Sequence, residues 1–348
     1  MSIEQGYKTP LLGLNKTEIE DIVKSKGLEK YRASQIFSWL YKTPVMDIDL
    51  MTNIPIKERE FLKKDYCLTT ITLEKTSDSK SSSSKKYLFK TRDNNFIESV
   101  KISNHYAAPT ICISSQIGCA IKCKFCATGG IKFVRNLTAE EIISQLIYLI
   151  QLEREMIGNV VFMGMGEPLL NYKNVIKSIK LMNDPQGLKI GARRITISTC
   201  GIPKFIRNLS NEELGINLAV SLNATDDKTR SFLMPINRVY PIRELLSAVD
   251  YYTKKTNRRV SFEYVLIRGI NDSIKDAKKL VEILNGRLCH VNLILLNKIS
   301  NSKFYPTSIE RAKLFVEILA HGGVNATIRK SKGTDISAAC GQLAAKKF

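Results

Sequence analysis

The chain has 348 residues, enough for one large domain and a smaller one around a core that needs no disulfides to fold. Hydrophobic residues make up 44% of it, and its best apolar run, Ile142 to Ile150, is interrupted by Ser144 and Gln145, which excludes a membrane-spanning helix. Lys and Arg total 53 against 33 Asp and Glu, a net charge of +20, and such a field points to a polyanion; without a basic amphipathic helix, nucleic acid is favoured over a membrane surface. Residues 1–14 lack the charged start and apolar stretch of an export signal, so the expectation is a cytoplasmic protein whose eight cysteines are reduced thiols.

The first elements read as short helices. Thr17-x-x-Glu20 looks like a capping box, with Gly27 as the stop of that helix. A second helix runs from Tyr31 to Lys42, with Ile36, Phe37 and Leu40 on its apolar face, and ends before Pro44. Pro55 suits the first turn of a third, running to about Asp65. From Cys67 to Ile102 the pattern changes to period two, with strands at 68–73, 87–89 and 96–100. The stretch 77–86 between them, four serines flanked by lysines, is expected to bury nothing and to form a mobile hairpin tip.

A βα alternation follows, with strands at 110–114, 159–163, 194–199, 216–222, 260–267 and 291–296. Thr138-x-x-Glu141 caps the first long helix, whose Ile142, Leu146, Leu149 and Ile150 form a stripe; Asn285-Gly286 ends another, and Thr307-x-x-Glu310 opens the last, which stops at Gly322-Gly323. Six such units give an α/β fold: a parallel sheet with right-handed crossovers, curling toward an open barrel. Sites in such sheets lie at the carboxyl ends of the strands.

Cys119, Cys123 and Cys126 follow the first of these strands in the run Cys119-Ala-Ile-Lys-Cys123-Lys-Phe-Cys126. Three thiolates at this spacing can hold three irons of a 4Fe–4S cube and leave the fourth open for a substrate. A structural zinc site would want a second C-x-x-C pair, which the sequence lacks. A redox C-x-x-C would leave Cys119 unexplained. Gly164-Met-Gly166-Glu167-Pro168 follows the second strand. Leu169 stands where a dinucleotide loop needs glycine, so the two glycines admit a ligand to the backbone and Glu167 can accept from an ammonium group; a tight turn with a solvated Glu is the plainer alternative. Of the remaining cysteines, Cys67, Cys200 and Cys289 read as small hydrophobes.

The cysteine spacing, with Phe125 before the last thiol, resembles the radical S-adenosylmethionine (SAM) superfamily. The runs Cys112-Ile-Ser-Ser-Gln116, Arg135-Asn-Leu137, Gly164–Asn171, Met234-Pro-Ile-Asn237 and Ala338–Leu343, with Tyr31–Phe37 and Met51-Thr-Asn53, make the resemblance specific. Over nearly the whole chain they resemble the dual-specificity rRNA/tRNA adenine-C2 methyltransferase family. That resemblance implies an open partial (βα)6 radical SAM barrel with a small N-terminal helical domain and a β-hairpin extension. It divides the chain into an RNA-binding accessory domain (1–66), the hairpin extension (67–104), the radical SAM core (105–335) and a tail with a catalytic cysteine (336–348).

It also implies a 4Fe–4S cluster on Cys119, Cys123 and Cys126, and two SAM molecules per turnover. One methylates Cys340; the other yields a radical that takes hydrogen from that methyl group. The resulting carbon radical adds to C2 of adenine in 23S rRNA or tRNA. Glu98 is then the base that removes the C2 proton, and Cys112 attacks the sulfur of Cys340, releasing methylated RNA and leaving a disulfide. A flavodoxin- or ferredoxin-type electron donor and a disulfide reductant are the implied partners. The residues matching SAM contacts are Gly166, Glu167, Ser198, Ser221, Leu222, Asn223 and Asn297. Asn223 stands where the family usually has His, and Gly129–Phe133 departs from the usual glycine before Phe. Pro168-Leu-Leu resembles the C2 group over the related adenine-C8 enzymes of antibiotic resistance. A non-catalytic iron–sulfur RNA-binding protein is the alternative of another class, in which Cys112 and Cys340 would be idle.

Overall fold

The computed structural model describes residues 8–104, 107–299 and 302–345, so residues 1–7 of the expected accessory domain and 346–348 of the expected tail lie outside the described residues. Helix α1 (Lys16–Ser25) starts earlier than its predicted cap: Asn15 accepts from Glu18 N and the Glu18 side chain accepts from Asn15 N, so the box is Asn15-x-x-Glu18. The register is set by Ile19 and Val23, which this start buries in the core. Gly27 ends the helix as expected, at φ +67°. Helix α2 (Tyr31–Phe37) runs into a π-helical turn at Ser38–Lys42, and α3 (Ile56–Asp65) follows Pro55.

Ten strands form one sheet, in which spatial order is sequence order. Strands β1 (Thr72–Asp78), β2 (Ser84–Lys90), β3 (Phe96–Asn104) and β4 (Ala107–Cys112) make an antiparallel meander. From β4 onward the pairing is parallel, through β5 (Asn159–Phe162), β6 (Ile195–Thr199), β7 (Asn217–Ser221), β8 (Val260–Leu266), β9 (Cys289–Leu295) and β10 (Ala326–Arg329). The last of these is a seventh parallel strand, one more than the six units expected. Strands β1 and β10 are the sheet's two edges, so the barrel is open.

Helices α4 (Ala139–Glu153), α5 (Tyr172–Asn183), α6 (Pro203–Leu209), α7 (Asp227–Leu233), α8 (Ile242–Thr256), α9 (Ile274–Leu284) and α10 (Ile309–His321) fill the crossovers. The predicted box at Thr138 and Glu141 caps α4; the cap of α10 is Ser308, one residue after the predicted Thr307, which instead bonds Asp272. Side chains alternate along the parallel strands. Ile195, Ile197, Leu218, Val220, Phe262 and Tyr264 are buried in the apolar core, while Ser198, Ser221 and Glu263 line a cavity inside the barrel. The sheet encloses open space, with polar groups set among apolar walls, where a packed barrel would hold layers of Val, Ile and Leu.

One expectation about the extensions is corrected. The serine-rich tip is not a free end: Ser84 and Lys86 are buried, Asp335 accepts from Ser79 Oγ (2.7 Å) and Lys80 N (2.8 Å), and Gly333 N donates to Ser82 Oγ (2.9 Å). Short serine side chains let the chain turn tightly enough for those contacts. The N-terminal helices pack directly against the barrel. Leu11, Ile19, Ile36 and Tyr41 belong to the same apolar cluster as Ile142 and Leu146 of α4, and Thr69 Oγ1 and Thr70 N donate to Glu140 at 2.7 and 2.9 Å.

Candidate functional site

The cysteine loop leaves the carboxyl end of β4, where the strand rule places a site. Its geometry is set by Gly118, at φ +72°, where a Cβ would collide with the Lys132 carbonyl. Lys124 N donates to Leu233 O (2.9 Å) and Ala127 N to Gly341 O (2.7 Å), so the loop is held by α7 on one side and the C-terminal tail on the other. Cys119 and Cys123 are buried and Cys126 half-buried, in an apolar shell that includes Ile121, Leu233, Met234 and Phe125. Burial pushes the Cys119 thiol up to about 12 and the Cys126 thiol upward as well. Thiolates in such surroundings need a bound cation, which fits an iron–sulfur cluster. Among the described residues no three His, Cys, Asp or Glu side chains converge as one metal ion requires; a cube keeps its thiolates on separate corners.

Cys123 and Cys126 form one end of a cavity holding about 910 Å³ of empty space, part of it open to solvent. Gly164, Gly166 and Glu167 form its near wall. At Gly166 (φ +101°) a Cβ would collide with Gln116, so the tight turn requires glycine. Glu167 is not a solvated turn residue but almost wholly buried: Oε1 accepts from Leu169 N (3.0 Å), Oε2 accepts from Cys200 N (2.7 Å), and burial pushes its carboxyl upward. Ser198, Ser221, Asn223 and Asn297 line the same cavity. Asn223 sits at φ +57°, a left-handed conformation that Asn tolerates well; its Oδ1 accepts from Val265 N (2.8 Å) and its Nδ2 lies 3.2 Å from Met234 Sδ. Leu222 is not brought to the wall. It is buried in the core, its N–H donating to Glu263 O and its carbonyl accepting from Arg230 Nε.

The tail brings Cys340 to this cavity. Thr128 Oγ1 donates to Leu343 O (2.7 Å), Asn297 Nδ2 to Cys340 O (3.1 Å) and Gln342 Nε2 to Lys298 O (2.9 Å). Cys340 is exposed where it faces the cavity; desolvation by the surrounding protein still pushes its thiol up, countered by the charge of Arg329. Cys112 is buried at the end of β4; burial drives its thiol well upward, and the charge of Cys340 adds to the effect, which places the two sulfurs in one electrostatic neighbourhood. Glu98 lies in an adjoining opening, with Lys122, Lys124, Lys298 and Gln342. Its Oε1 pairs with Lys86 (3.0 Å), and its Oε2 accepts from Ala344 N (2.8 Å) and Ala345 N (3.0 Å). In this arrangement Glu98 fastens the tail that carries Cys340.

Two residues at this site are not apparent from the sequence. Cys200, read as a small hydrophobe, lines the cavity with its Sγ 3.9 Å from Cys123 Sγ. Its place just past β6, at the carboxyl end of a strand, was the available signal. Arg230 of α7 is fully buried and donates to the carbonyls of Cys200 (2.7 Å), Ser221 (3.0 Å) and Leu222 (3.0 Å) and to Asn237 Oδ1 (2.9 Å). It ties the ends of β6 and β7 together behind the cavity. Arg230→Met should lower stability in urea denaturation by about 3 kcal/mol or more, since it orphans several buried carbonyls; a loss below about 1 kcal/mol would show that the knot is dispensable.

Known proteins match this chain in both sequence and structure. The family model described as the radical SAM superfamily matches residues 113–281, and that described as the ribosomal RNA large subunit methyltransferase N-terminal domain matches residues 9–68. The chain is 48% identical over 338 residues to a probable dual-specificity RNA methyltransferase RlmN of Thermotoga maritima, covering 97% of this chain and 98% of the relative. It is 44% identical over 329 residues to the protein of the same name from Caldanaerobacter subterraneus, covering 94% and 96%. The crystal structure of a radical SAM methyltransferase from Sphaerobacter thermophilus aligns with a TM-score of 0.95 at 43% identity, over 97% of this chain and all of that one.

Proposed function

The chain belongs to the RlmN family of dual-specificity radical SAM RNA methyltransferases, and from that premise we propose that it methylates C2 of an adenine in 23S rRNA and in tRNA. It is an enzyme with a 4Fe–4S cluster and SAM as cofactors. The observation that carries the finer reading is the tail: a thiol delivered to the cavity wall beside the three-cysteine loop, with a second buried thiol in its electrostatic field. A binding protein has no use for that pair.

When bound, the cluster and SAM supply single-electron chemistry able to take hydrogen from an unactivated C–H bond, together with the methyl group. Cys119, Cys123 and Cys126 would hold the cluster. In this reading Glu167 accepts from the ammonium group of SAM, in a cavity it lines with Gly166, Ser198, Ser221, Asn223 and Asn297. Buried walls keep water from reactive carbon centres. In this reading Cys340 carries the one-carbon unit to adenine C2, and Cys112 displaces it by attack on sulfur. Glu98 is our candidate proton acceptor, on the condition that RNA entry frees Oε2 from Ala344 and Ala345. The disulfide left after release requires a dithiol reductant, and the cluster a flavodoxin- or ferredoxin-type donor; both fit a cytoplasmic location.

The direct test is mass spectrometry of adenosine in rRNA and tRNA from cells with and without the protein. 2-Methyladenosine that depends on the protein supports the reading; 8-methyladenosine in its place would assign the chain to C8 chemistry. A second expectation concerns charge. Lys122, Lys124 and Lys298 are exposed around the opening next to the cavity, where phosphates of the RNA would run. Log affinity for an RNA hairpin should fall linearly with log salt, and Lys122→Glu with Lys298→Glu should flatten the slope by about 0.7 for each phosphate no longer neutralised. An unchanged slope would move the RNA path elsewhere on the protein.

A further inference from the structure

Glu263 lies on β8, in register with Ser221 of β7 and Asn292 of β9. Its side chain is 8% exposed and lines the same cavity as Cys340 and Arg329. Oε1 is satisfied, accepting from Asn292 Nδ2 at 2.7 Å. Oε2 is not: among the described residues it has no hydrogen-bond partner, only Arg329 of β10 at 3.8 Å, beyond bonding distance. A buried carboxylate oxygen without a donor is costly, and such an atom in a cavity wall calls for a ligand that brings one.

The chemistry of the cavity narrows that donor. Cys340 senses both groups, the charge of Arg329 favouring its thiolate and that of Glu263 opposing it. The wall of one cavity thus carries an acceptor, a cationic donor and the thiol. The Watson–Crick edge of adenine presents the complement: the exocyclic amine is a donor, N1 an acceptor, and C2–H the next position round the ring. Guanine offers a carbonyl where Glu263 needs a donor and an N–H where Arg329 needs an acceptor, so the same pair would repel it.

We infer that Glu263 and Arg329 read the target adenine, Glu263 Oε2 accepting from its 6-amino group and Arg329 donating to N1, so that C2 is turned toward Cys340. The inference rests on the methyltransferase reading of the site. Burial pushes the Glu263 carboxyl upward while Asn292 and Arg329 pull it down; an incoming N–H donor strengthens the ionised form. The adenine of SAM carries the same amine, and the two sources are separable by experiment.

The test uses the full-length holoenzyme and two RNA hairpins. One carries adenosine at the target position; the other carries purine riboside, which keeps N1 and C2–H but lacks the amine. The wild-type protein should methylate the adenosine hairpin about 100-fold more efficiently in kcat/KM, since a site built for a hydrogen bond rejects an analogue that cannot make it. Glu263→Ala should bring that ratio to within about threefold by losing rate on adenosine alone. It should leave unchanged the preference for SAM over its S-inosyl analogue in SAM cleavage without RNA. Anisotropy of the two hairpins bound without SAM should show the same preference in the wild type and its loss in the variant. Equal wild-type rates on both hairpins would overturn the inference, even if Glu263→Ala failed to fold. So would a variant that keeps the hairpin ratio, or one that changes only the SAM ratio, which would give the carboxylate to the cofactor ring. A protein that cleaves SAM but methylates neither hairpin would overturn the methyltransferase reading, and this inference with it.

Discussion

Cys112→Ala should convert the enzyme into a covalent trap. If Cys340 carries the carbon that bonds to adenine C2, the protein is tied to RNA until its S–C bond is broken. Attack by Cys112 on the Cys340 sulfur breaks that bond, leaves its electron pair on carbon and forms a disulfide. Without Cys112 the adduct should survive denaturing electrophoresis, and free methylated product should fall by on the order of a hundredfold or more. Cys340→Ala should give neither adduct nor product while still binding SAM. Normal turnover by Cys112→Ala would contradict the assignment. The burial that pushes the Cys112 thiol upward adds a pH signature. Only the thiolate attacks, so while the pH stays below the raised value its population grows roughly tenfold per pH unit, and the wild-type adduct should shorten in lifetime accordingly. A pH-independent lifetime would mean that release does not wait on ionisation of Cys112.

The cluster loop gives the second large effect. Cys119→Ala, Cys123→Ala and Cys126→Ala should each abolish the visible absorption of anaerobically reconstituted protein and its SAM cleavage, because each removes one corner of the cube. Cys200→Ala is the informative control. Its sulfur lies 3.9 Å from that of Cys123, near enough to be mistaken for a ligand. Three thiolates with an open fourth iron require that Cys200→Ala still carry about four irons and cleave SAM. Loss of the cluster in that variant would make Cys200 a ligand. Zinc as the sole metal in anaerobically purified wild-type protein would sink the cluster altogether.

Sequence determined what is local. Cys119, Cys123 and Cys126 sit within one short loop, so almost any fold keeps them together, and their spacing alone carried the chemistry. The Gly164–Pro168 run is legible as a contiguous motif, but its glycines are demanded by a distant segment: a Cβ would meet Ile113 and Ser114 at Gly164 and Gln116 at Gly166. The βα alternation followed from apolar runs of strand length separated by capped helices. Helix starts were less secure. The box expected at Thr17 gives way to one at Asn15, because that start buries Ile19 and Val23 against the rest of the molecule.

Tertiary structure decided what is assembled from distant segments. Nothing in the pattern around Cys340 places it against the loop of Cys126; resemblance to relatives supplied that expectation, and the bonds from Ala127 and Thr128 to the tail supply its physical cause. Glu98 is expected as the base for the C2 proton, yet the fold engages both its oxygens with Lys86 and the tail. Nothing in the run around Arg230 marks it for burial; the convergence of three strand-end carbonyls buries it. Glu263 reads in sequence as the exposed face of an amphipathic strand, because period two marks two faces without saying which solvent each meets. Closure of the sheet toward a barrel turns that polar face inward, and a pattern that signals water in a flat sheet becomes the wall of a reaction chamber.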